Sequence, residues 1–350
     1  MKLTMIGIDL AKNVFQVHGV DQHGKTVLKK QLKRDQMAIF FANTPACLVG
    51  MEACGSALHW ARKLQGFGHT VKLIAPQFVK PYVKTNKNDA ADVEAICEAV
   101  ARPNMRFVPI KNIEQQAVLS LHRVRQGFVK ARTAQANQIR GLLAEFGLMV
   151  PKGLAHIKGR VPDLIEDASV DLPGAFRLLM QRLLEHLTEL NRQVTELEAQ
   201  IKAWHQSNPL SRKLEALPGI GPITASALVA TVGDAKSFDN GRQLAAWLGL
   251  VPRQHSSGGK NVLLGISKRG DGYLRTLLIH GARSVVRVTQ AKAKSAQNPQ
   301  NPQNPPNWLN KLLSRRNPNV AAVALANKNA RIVWALLSQD RQYQPDYAAA

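Results

Sequence analysis

A heptad pattern of apolar residues between positions 176 and 204 constrains the fold of this chain more than any other feature. The apolar residues follow one another at alternating steps of four and three: Phe176, Met180, Leu183, Leu187, Leu190, Val194, Leu197, Ile201 and Trp204. Such steps place the side chains on a single stripe of an α-helix. The pattern therefore predicts a long helix that acts as a spacer or an oligomerisation element, in a coiled-coil hairpin or in a dimer.

The first 74 residues show the patterns of a mixed sheet. Apolar and β-branched runs predict strands at 3–9, 14–20, 25–31, 46–51 and 70–74, and helical periodicity predicts helices near 34–43 and 56–64. Three strands joined by short turns and followed by alternating helices and strands are typical of an α/β sheet.

The rest of the chain is predicted to be mostly helical. Residues 114–146 and 319–337 carry helical periodicity, whereas the Asn-Pro-Gln repeat at 298–306 fits a flexible loop because proline interrupts helices and central strands. A chain of 350 residues also exceeds the size at which single hydrophobic cores stop growing. We expect an α/β domain at 1–110, a helical and coiled-coil region at 111–206 and a basic helical domain at 207–350.

The charge of the chain points to a polyanionic partner. Lys and Arg number 47 against 24 Asp and Glu, which gives a formal net charge of +23. No acid occurs in 115–144 or in 272–339, so cationic and acidic segments are separated along the chain. This separation favours nucleic-acid processing over the alternative, a generally solvated basic surface.

Cysteine usage and hydropathy indicate the compartment. Cys47, Cys54 and Cys97 lack the spacing of a zinc site and fit a reduced cytosolic protein. The N-terminus lacks the pattern of a signal peptide, and no segment is expected to approach the roughly 20 apolar residues that span a bilayer. We expect a soluble cytosolic protein that works where DNA is and not at a membrane.

Four acids occupy positions at which carboxylates can converge. Asp9 and Glu52 end apolar strands, and Asp89 and Asp92 open a helix with a spacing that puts them on one face. Acids that follow apolar strands often point into a site at the carboxyl edge of a sheet. Carboxylates gathered there can hold two Mg²⁺ (or Mn²⁺) ions, as in-line displacement at a phosphodiester requires.

Each acid also has a structural alternative. Asp9 and Glu52 can be ordinary charged residues at strand ends, and acids at a helix start complement the helix dipole. Lys84 and Lys87, which precede the helix, can contact a substrate phosphate or serve as loop charges.

Residues 217–222 (LPGIGP) followed by a helix at 223–232 form a pattern like a helix-hairpin-helix. Gly219 and Gly221 would let the turn approach a phosphate, and the next helix would offer free N–H groups. A tight turn between two packed helices is the alternative.

A polar loop with the sequence RQHSSGGK follows at 253–260. Its glycines can bring a hydroxyl close to a phosphate, and four cations could neutralise developing charge: Arg253, Lys260, Lys268 and Arg269. Serine beside glycine is common and no nearby base is identifiable. Residue chemistry alone therefore does not make Ser257 a nucleophile.

Five motifs occur along the chain: GID at 7–9, MEACG at 51–55, NDAAD at 88–92, LPGIG at 217–221 and the P-x-x-x-x-S-G pattern at 252–258. In this order and spacing they resemble the DEDD transposase family of insertion sequences, relatives of the Piv DNA invertase and of RNA-guided bridge recombinases. The resemblance covers roughly residues 1–290, and the segment 321–331 also looks familial.

The resemblance implies a fold and a mechanism. The N-terminal domain would be RuvC-like, with an RNase H fold, and its four acids, Asp9, Glu52, Asp89 and Asp92, would bind divalent metal. Ser257 would attack the DNA backbone to form a phosphoserine intermediate. Ser256 is adjacent, so this assignment rests on alignment with Gly258.

The resemblance also implies a protein of the bacterial cytoplasm that is associated with the nucleoid. It further implies partners. These are double-stranded DNA at the element ends and the target, a structured noncoding guide RNA, and further copies of the chain in a homo-oligomer, a dimer or a tetramer. The basic residues of 115–144 would hold a nucleic-acid backbone through charge: Arg123, Arg125, Lys130 and Arg132.

Two other functions remain open at this point. A junction-resolving endonuclease would use the same acids with water as the nucleophile and would not need Ser257. A basic architectural protein would bind nucleic acid without catalysis, and its acids would be structural.

Overall fold

The structure, a computed structural model, describes residues 3–84, 89–295, 308–339 and 341–344, without the side chains of 89–90 and 293–295. The Asn-Pro-Gln repeat at 298–306 lies outside these residues. The chain divides into two compact units, one ending at Glu114 and the other beginning at Gln115. The boundaries at 110 and 206 that the sequence suggests stay predictions.

The first unit is built on a six-stranded mixed sheet. Its strands are β1 (Met5–Leu10), β2 (Val14–Val20), β3 (Thr26–Lys33), β4 (Leu48–Glu52), β5 (Thr70–Ile74) and β6 (Phe107–Val108). Their order is β3-β2-β1-β4-β5-β6, with β1, β4 and β5 parallel and the other pairings antiparallel. The predicted mixed α/β sheet is confirmed; the two-residue strand β6 was not predicted from the sequence.

Helices cover both faces of this sheet. They are α1 (Gln36–Ala42), α2 (Ala57–Gly66), α3 (Pro76–Val79) and α4 (Asp89–Val100), with a 3₁₀ turn at Lys80–Tyr82. The core on the α1 and α2 face includes the fully buried Ile6, Ile8 and Met51. Residues at alternate positions of the strands point to the opposite face, where α4 packs against β1, β2 and β4.

Helix α4 packs closely on the sheet at two strand positions that lack a side chain. A Cβ added at Gly7 would lie 2.6 Å from the carbonyl oxygen of Val93 and 3.0 Å from the amide nitrogen of Cys97. A Cβ added at Gly50 would lie 2.9 Å from the Cβ of Val100. Both glycines therefore set the height of α4 above the sheet.

Gly7→Ala is expected to destabilise the protein by about 1–3 kcal/mol, because the new methyl group must displace the backbone of α4. Chemical denaturation measures this loss. The control is Gly66→Ala at the end of α2, where an added Cβ meets no atom within 4 Å. An unchanged stability of Gly7→Ala would contradict the role assigned to this glycine.

The second unit is mostly helical. Its helices are α5 (Ile113–Ala144, which begins just before the unit boundary), α6 (Leu154–Glu166), α7 (Gly174–Ser207), α8 (Pro209–Glu215), α9 (Pro222–Val232), α10 (Gly241–Trp247), α11 (Gly272–Ser295), α12 (Trp308–Leu313) and α13 (Pro318–Ser338). A 3₁₀ turn occupies Ala235–Ser237, and a small hairpin pairs β7 (Pro252–Gln254) with β8 (Leu263–Ile266).

The heptad stripe lies on α7, and polar contacts align this helix with α5. Arg125 pairs with Glu198 at 2.5 Å, Arg132 donates to Asn191 at 2.9 Å, and Gln135 and His186 lie 3.0 Å apart. Residue numbers rise on one helix as they fall on the other, so the two helices run antiparallel. Part of the heptad stripe is buried against α5 and α6 in the same chain: Met180 and Leu187, with Phe176 and Leu183 partly buried beside them. Coiled-coil packing and oligomerisation through α7 stay predictions.

Helix α13 changes one expectation. It spans 21 residues, and its length and composition are those of a helix that could cross a membrane. The expectation that no segment approaches the length of a membrane-spanning helix is therefore wrong. Ala322, Ala326 and Val333 are fully buried in a cluster with residues of α10 and α11. Within the described residues α13 has the contacts of a core helix.

A buried polar network joins α5, α9 and α11. His122 is 1 % exposed and lies 3.0 Å from the Tyr273 hydroxyl through Nδ1 and 3.0 Å from the Ser226 Oγ through Nε2. The Ser226 hydroxyl donates to the Pro222 carbonyl at 2.7 Å. Ser226 therefore accepts from His122, which leaves Nδ1 to accept from Tyr273 and keeps the imidazole neutral.

Acid is expected to weaken this network. Burial, and then the nearby Arg125, lower the pKa of His122 from 6.5 to about 4. The unfolded chain thus binds the extra proton first, and stability falls as the pH drops from about 6.5 to 4, by roughly 3 kcal/mol for this group. Urea denaturation of wild type and His122→Gln across this range isolates the contribution. Parallel pH profiles of the two proteins would refute it.

Candidate active site

Two acids lie side by side at the carboxyl edge of the first unit's sheet. Ile8 of β1 pairs in parallel with Met51 of β4, so the next residues along, Asp9 and Glu52, occupy neighbouring positions. Alternation puts Asp9 on the face of Gly7 and Glu52 on the face of Gly50. This is the face on which α4 packs. Both acids are half-buried.

Helix α4 adds a third acid to this edge. Asp92 precedes Val93, the residue that contacts Gly7. Burial, followed by the negative charges of Asp9 and Asp92, raises the pKa of Glu52 above its ordinary value. The structure thus brings Glu52 within electrostatic range of both Asp9 and Asp92. The backbone of Asp89 begins α4, as predicted, but its side chain lies outside the described part.

The three acids supply the type of oxygen donor that a hard divalent cation takes, but their positions alone do not form a metal site. Carboxylate oxygens are the donors that Mg²⁺ and Mn²⁺ prefer, and a cation would offset the repulsion that raises the pKa of Glu52. Among the described residues, which omit the Asp89 side chain, no group of three His, Cys, Asp or Glu has the geometry to hold a metal.

Of the two lysines before α4, only Lys84 lies among the described residues. Lys84 pairs with Glu98 of α4 at 3.1 Å, and 70 % of its side chain is exposed. Lys87 lies outside the described residues. Contact of either lysine with a phosphate stays a prediction.

Ser257 lies at the tip of an exposed hairpin in the second unit. Gly258 and Gly259 have φ values of +54° and +77°, and the amide of Lys260 donates to the Ser257 carbonyl at 3.0 Å. Two consecutive left-handed residues make a tight two-residue turn, which glycine adopts without strain. Every residue from 252 to 265 is exposed.

The two adjacent serines differ in their hydrogen bonds. The Oγ of Ser256 accepts from the side chain of Gln254 at 2.8 Å, whereas no hydrogen bond of the Ser257 hydroxyl is found among the described residues. Four exposed cations accompany the hairpin: Arg253, Lys260, Lys268 and Arg269. Ser257 therefore presents a hydroxyl at an accessible, cationic tip.

The turn at 217–222 packs closely against α11. Gly219 has a φ of +88°, and an added Cβ would lie 2.9 Å from the carbonyl oxygen of Gly281. Gly221 is exposed and caps α9, whose first residue is Pro222. Gly219 is thus needed for helix packing, while Gly221 remains accessible to a ligand.

The predicted basic residues of α5 fall into two groups. Arg123 and Lys130 are exposed. Arg125 and Arg132 instead pair with Glu198 and Asn191 of α7. Binding of nucleic acid by these four residues stays a prediction.

Sequence reasoning missed the positioning role of Gly7 and Gly50. Each lies two residues before an acid of the site, in Gly7-Ile8-Asp9 and Gly50-Met51-Glu52. The repeated spacing was a usable signal: glycine two residues before a strand-end acid leaves room for a helix beside that acid.

Comparison with known proteins identifies the family. A model described as "Transposase" matches residues 6–147, and one described as "Transposase IS116/IS110/IS902 family" matches residues 211–297. The chain is 55 % identical to a probable family 20 transposase of Pseudomonas aeruginosa over 99 % of its own length and 100 % of that protein. The chain belongs to the IS116/IS110/IS902 family of transposases.

Two further relatives are similar to most of the chain. The transposase for insertion sequence element IS1111A of Coxiella burnetii is 44 % identical, over 98 % of this chain and 92 % of that protein. The pilin gene-inverting protein of Moraxella bovis is 26 % identical, over 74 % and 75 % of the two chains. Transposases of this family cleave DNA and transfer its strands. The first family match contains the three acids, and the second contains the serine hairpin.

In this transposase, Glu52→Gln is expected to raise thermal stability in EDTA at neutral pH by a few degrees. Because the pKa of Glu52 is raised, the folded protein binds its proton more tightly than the unfolded chain does. Stability therefore falls as the pH rises above about 4.5, and the neutral amide removes that penalty. The same variant should lose most of the stabilisation that Mn²⁺ confers on wild type.

The matched control is Glu98→Gln on α4. Lys84 and Arg102 lower the pKa of Glu98, so its neutralisation should not stabilise the protein. Melting curves with EDTA and with Mn²⁺ measure both effects. Equal Mn²⁺ responses in wild type and Glu52→Gln would exclude Glu52 as a ligand.

Proposed function

We propose that this transposase is a site-specific DNA recombinase that joins a RuvC-like carboxylate site to a serine nucleophile. Asp9, Glu52, Asp89 and Asp92 would hold Mg²⁺ or Mn²⁺, and Ser257 would attack the DNA backbone. The observation that carries the proposal is that Asp9 and Glu52 follow paired residues of neighbouring parallel strands, on the face where α4 brings Asp92 beside Val93.

The first unit supports the carboxylate half of the proposal. An antiparallel meander of β1, β2 and β3, joined through β1 to the parallel strands β4 and β5, suits a RuvC-like domain of the RNase H type. Bound divalent metal would polarise the phosphodiester and stabilise the leaving oxygen. The chain's own part is to hold the carboxylates ready, through the two strand ends and the start of α4.

The exposed hairpin supports the serine half. Attack would form a bond from the Ser257 Oγ to phosphorus, break the bond from phosphorus to the leaving sugar oxygen, and move the hydroxyl proton to that oxygen by way of solvent. Arg253 and Lys260 would offset charge on the phosphoryl oxygens. Because the phosphodiester is conserved in the intermediate, a second strand can be joined without an external energy source.

The resemblance to bridge recombinases supplies the remaining parts of the proposal. A structured noncoding RNA would pair with target and donor DNA, and the exposed Arg123 and Lys130 would contact a nucleic-acid backbone. The turn at 217–222 would act as a helix-hairpin-helix through Gly221 and the start of α9. Homo-oligomers, dimers or tetramers, would assemble through the helix pair of α5 and α7.

One observation favours a second candidate. Among the described residues, no basic side chain hydrogen-bonds to the Ser257 hydroxyl. A junction-resolving endonuclease would use the same acids with water as the nucleophile and would not depend on Ser257.

Denaturing electrophoresis of labelled element-end DNA, incubated with the protein, the element-encoded RNA and Mg²⁺, separates the two candidates. Wild type should form a protein–DNA adduct, and Ser257→Ala should reduce it at least about 100-fold because the nucleophile is lost. Ser256→Ala is the matched control and should keep the adduct. Asp9→Asn should abolish the adduct as well.

Two outcomes would contradict the proposal. Cleavage without an adduct, equal in wild type and Ser257→Ala, would establish the water-dependent nuclease. Loss of the adduct in Ser256→Ala, with retention in Ser257→Ala, would move the nucleophile by one residue.

A further inference from the structure

A pocket opens at the carboxyl edge of the six-stranded sheet of the first unit, beside the acids but separate from them. It lies where the β1–β2 turn, the end of β3 and the loop before α2 meet, and its volume is about 600 Å³. The residues that matter for its chemistry are Leu10, Lys12, Arg34, Cys54 and Ser56. None of these residues has a role in the proposed metal site or serine chemistry.

Arg34 is held in place by the fold rather than by an acid. Its guanidinium lies 5.7 Å from the ring centre of Phe15 and 5.8 Å from that of Trp60. Its Nη1 donates to the carbonyl oxygen of Lys12 at 3.1 Å. A guanidinium fixed in this way loses little conformational entropy when it binds an anion.

The positive charge of the pocket is not neutralised by a neighbouring acid. Lys12 and Arg34 are both exposed, and neither forms an ion pair with an acidic side chain of the described residues. Asp35 follows Arg34, but its carboxylate accepts from the amide of Gln36 at 3.0 Å at the start of α1. Two cations thus face solvent at one pocket.

Cys54 shows that the pocket and the acids are neighbours. Its Sγ lies 3.9 Å from the carbonyl oxygen of Leu10, the residue after Asp9. Cys54 itself lies two residues after Glu52, the last residue of β4. The pocket therefore begins at the ends of the two strands that carry Asp9 and Glu52.

This placement addresses a physical problem of the site. A DNA strand brought to Asp9, Glu52 and Asp92 carries one negative charge per phosphate and is repelled by the carboxylates. Cations beside the acids would hold a neighbouring phosphate and offset that repulsion. Arginine forms paired hydrogen bonds to phosphate oxygens, and lysine adds a compact positive charge.

We propose that Lys12 and Arg34 form a phosphate-binding pocket for the duplex DNA that the enzyme processes, holding a phosphodiester next to the one that is cleaved. Ser56 lines the same pocket and makes no capping hydrogen bond to α2, so its hydroxyl adds a donor. The identity of the cleaved phosphodiester rests on the proposed carboxylate site. Binding itself requires neither metal nor cleavage.

The test measures DNA binding by the full-length protein in EDTA, by fluorescence anisotropy of a labelled element-end duplex over a series of salt concentrations. Lys12→Gln and Arg34→Gln should each weaken binding by up to about tenfold and reduce the slope of log K against log salt by about 1. Arg34→Lys should restore the slope because it restores the charge.

The matched control is Lys25→Gln. Lys25 is exposed in the β2–β3 turn, which follows Val20. Val20 pairs with Met5 at the start of β1, whereas the pocket lies at the end of β1. The substitution removes the same charge from the far edge of the same sheet, and its salt slope should stay close to that of wild type. Lys12→Gln keeps the test valid if Arg34→Gln perturbs the packing on Phe15 and Trp60.

Three results would overturn the proposal. Unchanged slopes in Lys12→Gln and Arg34→Gln would show that neither cation contacts a phosphate. An equal loss in Lys25→Gln would show a general charge effect. Weaker binding of an RNA hairpin of similar length, with DNA binding unaffected, would assign the pocket to RNA. Because binding is measured without metal, a failed adduct assay leaves these outcomes unaffected.

Discussion

The close approach of helix α4 to strands β1 and β4 is the contact on which the candidate site depends. The positions of Gly7 and Gly50 allow backbone and Cβ atoms of α4 to lie where side chains would otherwise stand. Asp92 thereby comes near the strand ends that carry Asp9 and Glu52, and the charges meet in a half-buried place. With a larger residue at either glycine, the helix would stand further from the sheet and the acids would lie further apart.

The acid cluster serves the proposed function but lowers the stability of the folded protein. Like charges that share a partly buried site disfavour ionisation, as the raised pKa of Glu52 shows. Such clusters persist in proteins when the surrounding structure is strong enough to hold them. Here the support comes from a sheet with fully buried Ile6, Ile8 and Met51 below and α4 above. Positive charge, from a bound metal or from the side chains of a neighbouring pocket, would offset the repulsion among these carboxylates.

The second unit combines a rigid base with an exposed tip. The base is set by buried contacts such as that between Gly219 and Gly281 and by the hydrogen bonds of His122 to α9 and α11. The tip is the hairpin of Ser257, in which residues 252–265 are exposed. A hydroxyl on a short, tightly turned hairpin can reach a large substrate such as DNA, while the helices beneath hold its base in position.

Much of the architecture was predictable from the sequence, because it is encoded locally. Apolar and β-branched runs predicted five of the six strands of the first unit, heptad spacing predicted the long helix α7, and acids at strand ends pointed to Asp9 and Glu52. Family motifs pointed to a transposase, and the comparisons confirmed it. The two-residue strand β6 was missed because two residues are too few to show a period.

Which face a charged residue shows, and which partner it meets, was decided only by the tertiary structure. By sequence alone Arg123 and Arg125 look alike, yet α5 exposes the first and turns the second toward Glu198 on α7. Lys12 and Arg34 are 22 residues apart and meet only because β1, β2 and β3 form an antiparallel meander. Residue type and spacing determined the elements and the family, since both act over a few neighbours along the chain. The site depends on contacts between distant segments, and these exist only once the sheet and its helices have packed.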